Sequence, residues 1–384
     1  MNKPLNKVEK LIAELCPEGV EFRELGEVFD IKNGYTPSKS KSEYWENGTV
    51  PWFRMDDIRQ NGCVLDNSLQ YINKSAVKGD KLFPANSILV ATSATIGVHA
   101  LITVPHLSNQ RFVSLSIKNK YNRLLYIKYI HYYFYILDTW CVNNVTKSSF
   151  ASVDMSGFRK FPIPIPPLPI QEEIVRILDT FTELEAELEA ELEARKRQYE
   201  YYRDELLTFG DDVEWKALGE IGAIKSGKNK SRDSYGGYPV YGSTGVIGYS
   251  DSFAYEGDFL LVARVGAYAG LVNKVSEKFD VSDNTLILKL NTNTNLGYFY
   301  HLLTNMNLNQ YASGGGQPLV TATNIKNLSV PIPPLAEQKR IAGILDKFDA
   351  LVNDISVGLP AEIAARRKQY EYYRDKLLTF QEKQ

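Results

Sequence analysis

The sequence predicts an α+β fold: two globular α/β domains separated by two long antiparallel coiled-coil helices, related by a pseudo-twofold internal duplication. Three observations predict it. First, IPIPPLPIQEEIVRILDTF from Ile163, the tract ELEAELEAELEA and RKRQYEYYRDELLTF ending at Phe209 return as VPIPPLAEQKRIAGILDKF and RRKQYEYYRDKLLTF between Val330 and Phe380. Second, the opening VEFRELGEVFDIKNGYTP returns as VEWKALGEIGAIKSGKNK, aligning Phe22 with Trp215, Gly26 with Gly219 and Gly34 with Gly227. Third, Ile174, Ile177, Leu178, Phe181, Leu184, Leu188, Leu192, Tyr199, Tyr202, Leu206 and Phe209 recur mostly three or four residues apart, the spacing of one helix face. A long period repeated once marks a duplicated domain unit and not a short-repeat solenoid.

The elements follow in order. Residues 3–16 carry Leu5, Val8, Leu11, Ile12 and Leu15 at amphipathic spacing, which predicts a short helix. GTVPWFRMDDI, NSILVATSATIGVHALITV and RFVSLSI are β-branched runs punctuated by Gly, Pro and Asn, and predict strands. A helix is expected over Leu124–Trp140. Pro166 and Pro167 then hold the chain extended and launch a helix of about 39 residues, roughly 58 Å at about 1.5 Å per residue. The second globule offers GDFLLVARVGAYAGLVNKV and NTLILKL at comparable places, with a helix over Leu296–Met306. Gly358 and Pro360 predict a break in the second long helix. The resulting domains are residues 1–161, with the N-terminal helix, 162–210, 211–329 and 330–384. A cyclic pseudo-twofold places Leu377–Phe380 beside the N-terminal helix.

Composition narrows the function. A length of 384 residues suits two or more domains. Cys16, Cys63 and Cys141 lie far apart, which argues against a disulfide framework or a zinc ribbon, and His99, His106, His131 and His301 lack metal-ligand spacing. MNKPLNKVEK has no apolar signal core, and the apolar run Leu124–Leu137 is too short for a membrane span. A cytoplasmic protein is expected. Net charge is −2, but residues 1–160 carry +5 and residues 161–209 carry −7, so the acidic excess sits on the first long helix. Charge permits nucleic-acid binding by the globules.

The turn residues point the same way. Lys32, Asn33, Tyr35, Thr36 and Lys39 follow the first strand, and Lys225, Ser226, Lys228 and Lys230 occupy the equivalent place. Thr92, Ser93 and Thr95 align by pattern with Arg264 and Tyr268. Asn109, Gln110 and Arg111 precede one strand as Asn284 precedes the other. Arg, Lys, Asn, Gln and hydroxyl side chains pair with base edges and phosphates, which makes these residues DNA-contact candidates.

Competing motifs are weaker. GAIKSGK (Gly222–Lys228) fits part of a phosphate-binding loop, but Asn229 replaces the Ser or Thr that would hold magnesium. No Gly-rich strand–turn–helix for SAM, no Asn/Asp-Pro-Pro-aromatic quartet and no Ser/His/Asp or Cys/His set is evident. The chain does not look like an enzyme by itself.

The arrangement resembles the specificity (S) subunit of Type I restriction–modification enzymes. The residues that carry the resemblance are the two IPPL-x2-Q starts (Ile165–Leu168 with Gln171, Ile332–Leu335 with Gln338), the ILD-x-F helices (Ile177–Phe181, Ile344–Phe348), the QYEYYRD tails and the paired globule openings. The resemblance implies two target-recognition domains, each reading half of a bipartite asymmetric site in double-stranded DNA. It implies helices that dock two methyltransferase subunits, which supply SAM and the catalytic motifs, and restriction subunits that join the complex. It implies no cofactor in this chain, and no contact residue is carried over. Two other classes compete. A structural coiled-coil protein predicts no specific DNA binding, and a nucleotide-dependent enzyme predicts ATP binding lost in Lys228→Ala. The tetrapeptide tract Glu183–Ala194 is expected to set the spacer between the half-sites. Four helical residues turn a helix by a net ~40°, close to the roughly 35° of one base pair.

Overall fold

The computed structural model describes residues 5–146, 151–228, 235–314 and 317–383. The chain divides into two compact units, residues 1–186 with 365–384 and residues 187–364.

The first unit begins with α1 (Leu5–Leu15) and carries β1 (Phe29–Asn33), β2 (Val50–Phe53), α2 (Met55–Asn61) and β3 (Val64–Leu65). β4 (Ser87–Ala91), β5 (His99–Ile102), β6 (Phe112–Ile117) and α3 (Ile127–Asn143) complete the globule. Its main sheet runs β1-β6-β4-β5-β3, with β4 antiparallel to both β5 and β6. β2 lies in a separate small sheet between Tyr71–Ile72 and Leu107–Ser108. One core face collects Leu25, Ile88, Val90, Leu115, Tyr129, Phe134 and Phe158; the other face collects Trp52, Phe53, Ile72, Phe83, Leu89 and Ile102. Alternation along β4 explains the division, since successive side chains point to opposite faces.

GTVPWFRMDDI is a strand only over Val50–Phe53; the expectation of one longer strand fails at Arg54. The Asp57 carboxylate accepts the N–H of Arg54 at 2.6 Å and that of Leu69 at 2.6 Å. This satisfies an otherwise orphaned helix-start donor and turns the chain into α2. Gly62 ends that helix at φ 81°. The helix expected from Leu124 starts at Ile127, because the Gln171 side chain ties down the backbone before it.

α4 (Leu168–Leu206) is 39 residues long, as the periodicity predicts, and contributes to both units. The second unit contains β7 (Gly222–Ser226), β8 (Tyr238–Gly242), β9 (Gly245–Ser250), β10 (Tyr255–Ala263), β11 (Val272–Val281), β12 (Thr285–Leu290) and α5 (Leu296–Asn305). Its sheet runs β7-β12-β10-β11-β8-β9. The first four positions repeat β1-β6-β4-β5, and the hairpin β8–β9 is added at the far edge. α6 (Leu335–Asn353) and α7 (Leu359–Leu377) are separated at Asp354–Gly358, the predicted break. Gly358 has no room for a Cβ, which would lie 2.4 Å from Ala350 O.

The repeated motifs do equivalent structural work. Buried Gln171 accepts the Tyr126 N–H at 2.8 Å and donates to Leu124 O at 2.7 Å and Pro166 O at 2.6 Å. Buried Gln338 accepts the Asn295 N–H at 2.9 Å and donates to Pro333 O at 2.8 Å. Each glutamine thus satisfies backbone groups left unpaired by the Pro-Pro loop and by the start of its globule's own helix, α3 or the Leu296–Asn305 helix. Asp179 of the first ILD motif accepts from Tyr132 Oη at 2.7 Å and Lys128 Nζ at 2.8 Å. Asp346 of the second meets His301 Nε2 at 3.0 Å and Lys274 Nζ at 3.2 Å.

The tails are exchanged between copies. Phe181 stacks on Tyr373 at 5.4 Å and lies beside Tyr370, while Phe348 stacks on Tyr199 at 6.2 Å and Tyr202 at 5.7 Å. In the first unit Phe181 meets Tyr370 and Tyr373, and Glu185 pairs with Arg367, so the two helix segments run antiparallel there. Phe380 then packs edge-on to Tyr129 and Phe209 edge-on to Tyr298. Leu377 and Leu378 share a core with Val8, Leu11 and Ile12, and Val20 N–H donates to Gln381 O at 2.8 Å. This is the proximity expected of a cyclic arrangement. α1 is also held by Lys7, whose Nζ lies 2.7 Å from Glu173; Arg176 and Lys7 together bring that carboxyl down to about 2.

Candidate nucleic-acid interface

In the first globule three loops meet at one end of the main sheet. Gly34 N–H donates to Phe112 O at 2.9 Å, Tyr35 N–H to Ser108 O at 2.8 Å and Thr92 N–H to Arg111 O at 3.0 Å. A Cβ at Gly34 would lie 2.1 Å from Asn109 O, and one at Gly227 would lie 2.1 Å from Ser282 O. The shared glycine of the two openings is therefore a close-approach position in both globules. Asn109 accepts the Arg111 N–H on its side chain at 3.0 Å and donates its own N–H to Phe53 O at 3.1 Å, which fixes the turn. Thr36 Oγ1 donates to Gln110 Oε1 across two loops.

These contacts place Thr36, Lys39, Asn109, Gln110 and Arg111 around one open cavity of about 540 Å³. Ser42, Trp45, Glu46, Trp52, Arg54 and Gln70 complete its wall. Arg54 escapes sequence reasoning because it lies inside a run that reads as strand. Its guanidinium lies over the Trp52 ring at 5.7 Å, and its buried Nε has no hydrogen-bond partner among the described residues. Trp52 is fixed in turn by Nε1–H donation to Tyr35 O at 3.0 Å and an edge contact with Trp45 at 5.1 Å. The cavity thus combines cations, amides and a rigid aromatic floor, the side-chain set that suits phosphates and base edges.

Other candidates have different placements. Lys32 and Asn33 are exposed on edge strand β1 opposite Ser114 and Val113 and do not line the cavity. Tyr35 is a structural clamp: its hydroxyl donates to Ala76 O at 3.1 Å and accepts the Lys78 N–H at 2.9 Å. Ser93 and Thr95 flank Ala94, which holds a left-handed φ of 65° at the turn after β4.

The second globule repeats the backbone and changes the side chains. Arg264 N–H donates to Asn284 O at 2.9 Å and Gly227 N–H to Thr285 O at 2.8 Å, as Thr92 and Gly34 do in the first. Arg264 Nη1 donates to Asp283 O at 3.2 Å, and its buried Nε has no hydrogen-bond partner among the described residues. Ser243 Oγ donates to Asn284 O at 3.1 Å. Lys225 and Ser226 end edge strand β7 with exposed side chains, and Tyr268 is 57% exposed. Lys228 is exposed; Lys230 lies outside the described residues, as do Asn229 and Arg232. Gly222–Ser226 being a strand, its backbone pairs with β12 and forms no phosphate-cradling loop.

Among the described residues no cluster of three His, Cys, Asp or Glu could hold a metal, and no helix is long and apolar enough to cross a membrane. The three cysteines are free.

The chain matches the Type I restriction modification DNA specificity domain twice, over residues 17–194 and 210–365. It is 49% identical over 359 residues to the Type I restriction enzyme EcoprrI specificity subunit of Escherichia coli, covering 88% of this chain and 89% of that relative. It is 34% identical to the EcoR124I/EcoR124II specificity subunit of Escherichia coli, covering 66% of this chain and 71% of the relative. In fold it is similar to the crystal structure of the Type-I restriction-modification system S subunit from M. genitalium, at a TM-score of 0.59 and 17% identity, covering 93% of this chain and 96% of that one. With both repeats of that domain in place, the chain belongs to the Type I restriction–modification specificity-subunit family.

Proposed function

We propose that this chain is the non-catalytic DNA-reading subunit of a cytoplasmic Type I restriction–modification complex. Residues 1–161 and 211–329 are its two target-recognition domains, each reading one half of a bipartite asymmetric site. Residues 162–210 and 330–384 form the helical spacers that dock two methyltransferase subunits, the carriers of SAM, and restriction subunits join the assembly. One observation carries the reading: equivalent backbone at the sheet ends presents Thr92 with Arg111 in one globule and Arg264 with Asn284 in the other. Equivalent frames with unlike side chains suit two unlike half-sites. The net charge of −2 gives the chain little phosphate attraction of its own, so tight salt-sensitive binding requires the partners.

The test is a domain exchange read by methylome sequencing. Replacing residues 22–160 by those of a relative should change one half of the methylated motif and leave the other intact. Changes in both halves would contradict modular readout.

A further inference from the structure

The hairpin β8–β9 is a part of the second globule without a counterpart in the first. In the first globule β5 is flanked by the parallel strand β3, which is two residues long, and the sheet ends there. In the second, β8 runs parallel to β11 at the same position, pairing Val240 with Asp280 and Tyr241 with Val281, and β9 continues past it to the edge. Part of the hairpin is packed: Val240 is buried, Tyr241 meets Phe279 at 5.8 Å and Tyr238 meets Phe253 at 4.9 Å. Packing explains those residues and leaves the turn and the outer strand unexplained.

Hydrogen bonds fix both the shape of the turn and its place. Gly242 pairs with Gly245 across Ser243 and Thr244, and Gly245 takes the left-handed φ of 97° that closes a turn of this kind. Ser243 Oγ donates to Asn284 O at 3.1 Å, and the Arg264 N–H donates to the same oxygen at 2.9 Å. Tyr241 O, two residues before Ser243, accepts the Ser282 N–H at 2.9 Å. The turn is therefore built against Arg264, the arginine of the proposed DNA frame. Thr244, next to Ser243 in the turn, is exposed, and among the described residues its hydroxyl has no hydrogen-bond partner.

The hairpin is also uncharged. No residue from Tyr238 to Ser250 carries a charge, whereas the neighbouring β10 and β11 expose Glu256, Asp258, Lys274, Glu277 and Lys278. β9 is an edge strand with Val246 47% and Tyr249 42% exposed, and it has neither the charge nor the proline that keeps a bare edge from pairing with other chains. An edge in that state calls for a cover. The major groove of DNA, about 12 Å wide, admits a two-stranded ribbon, and a threonine at its turn offers a hydroxyl to any base and a methyl group to thymine. Neutralising phosphates takes lysine or arginine, and the hairpin has neither. Its chemistry therefore suits base edges, with Arg264 beside it supplying the charge.

We propose that the hairpin β8–β9 enters the major groove of the half-site read by the second globule, and that Thr244 is a base-contacting, specificity-determining residue there, beside Arg264. This rests on the function proposed above. The experiment uses the full chain assembled with the methyltransferase subunit of its own system, in competition binding against single-base variants of the methylated motif. The second half-site is the one left intact by the domain exchange. Thr244→Ala should cut discrimination at one position of that half-site about tenfold and leave the other half-site untouched. Thr244→Asn, which puts another turn-forming residue in the turn, should change the base preferred at the same position. Thermal unfolding should be unchanged in both variants. Affinity lost equally for every base variant, or wild-type discrimination in both variants, would overturn the assignment. So would a change in oligomeric state alone, which would give the β9 edge to a second copy of the chain. A wild-type assembly without sequence preference would overturn the proposed function itself.

Discussion

At the end of β4 the first globule places Thr92, and at the end of β10 the second places Arg264; their N–H groups donate to Arg111 O and Asn284 O at 3.0 and 2.9 Å. Around this common frame the globules part company. The first inserts residues 38–83, whose Trp52, Phe53, Ile72 and Phe83 pack on one face of its main sheet, and so walls its sheet end into a cavity. The second extends β10 and β11 and adds the hairpin β8–β9, with a small core of Phe259, Phe279 and Ile287. Backbone geometry here belongs to the scaffold, while side-chain identity and edge insertions belong to whatever each globule contacts. The same lesson holds at Asp179 and Asp346, where one acceptor is served by a tyrosine in one copy and a histidine in the other.

The comparison can be broken first by acid. His106 is buried edge-on to Phe53 and Phe83, and burial brings its pKa down to about 4. A histidine with a depressed folded pKa binds fewer protons folded than unfolded. Its contribution is therefore complete above pH ~6.5 and lost as pH falls toward about 4, amounting to about 3 kcal/mol. The first globule's insertion should lose hydrogen-exchange protection in that window, and His106→Phe should flatten the dependence. A wild-type core indifferent to this range would refute it.

The scaffold glutamines test equivalence. Gln171→Ala and Gln338→Ala each strand buried backbone groups and should each destabilise their own unit by about 2–3 kcal/mol. Denaturant unfolding followed by hydrogen exchange in the two units reads this, and a cost confined to one copy would show that the duplication is only formal.

Arg54→Ala should relax specificity in the half-site read by the first globule, and Arg264→Ala in the other, by about 1–3 kcal/mol where the arginine pairs with a guanine. Competition binding of the assembled complex with single-base variants measures it; effects in both halves from either change would end the modular comparison. The smallest energetic effect is expected from deleting one ELEA unit. Both half-site sequences should persist with a shorter spacer in the methylome, and an unchanged spacer would show that tract length does not set it.

Much of this was legible in the sequence, for identifiable reasons. Helix periodicity, the Pro-Pro launches and the Gly358–Pro360 break are local signals, and the second copy doubled the evidence for each. The pairing of Thr36 with Gln110, 74 residues apart, has no local signature. Arg54 was hidden because α2 starts without a Ser, Thr, Asp or Asn cap and is closed by Asp57 instead. Tyr35 was legible as a polar turn residue but not as a clamp on Ala76 and Lys78, because both partners lie in the insertion.

The exchanged tails also set an order of events during synthesis. Residues 187–364 form one contiguous stretch, so the second unit has all its parts once that stretch has left the ribosome. The first unit has its sheet and α3 far earlier but lacks Leu377, Leu378 and Phe380, which close its core against α1 and Tyr129. Contacts so distant along the chain form slowly and leave apolar surface open while they wait. The globule translated first is therefore the one finished last, and a ribosome stalled before Leu377 would release a chain whose first globule is open and prone to aggregate.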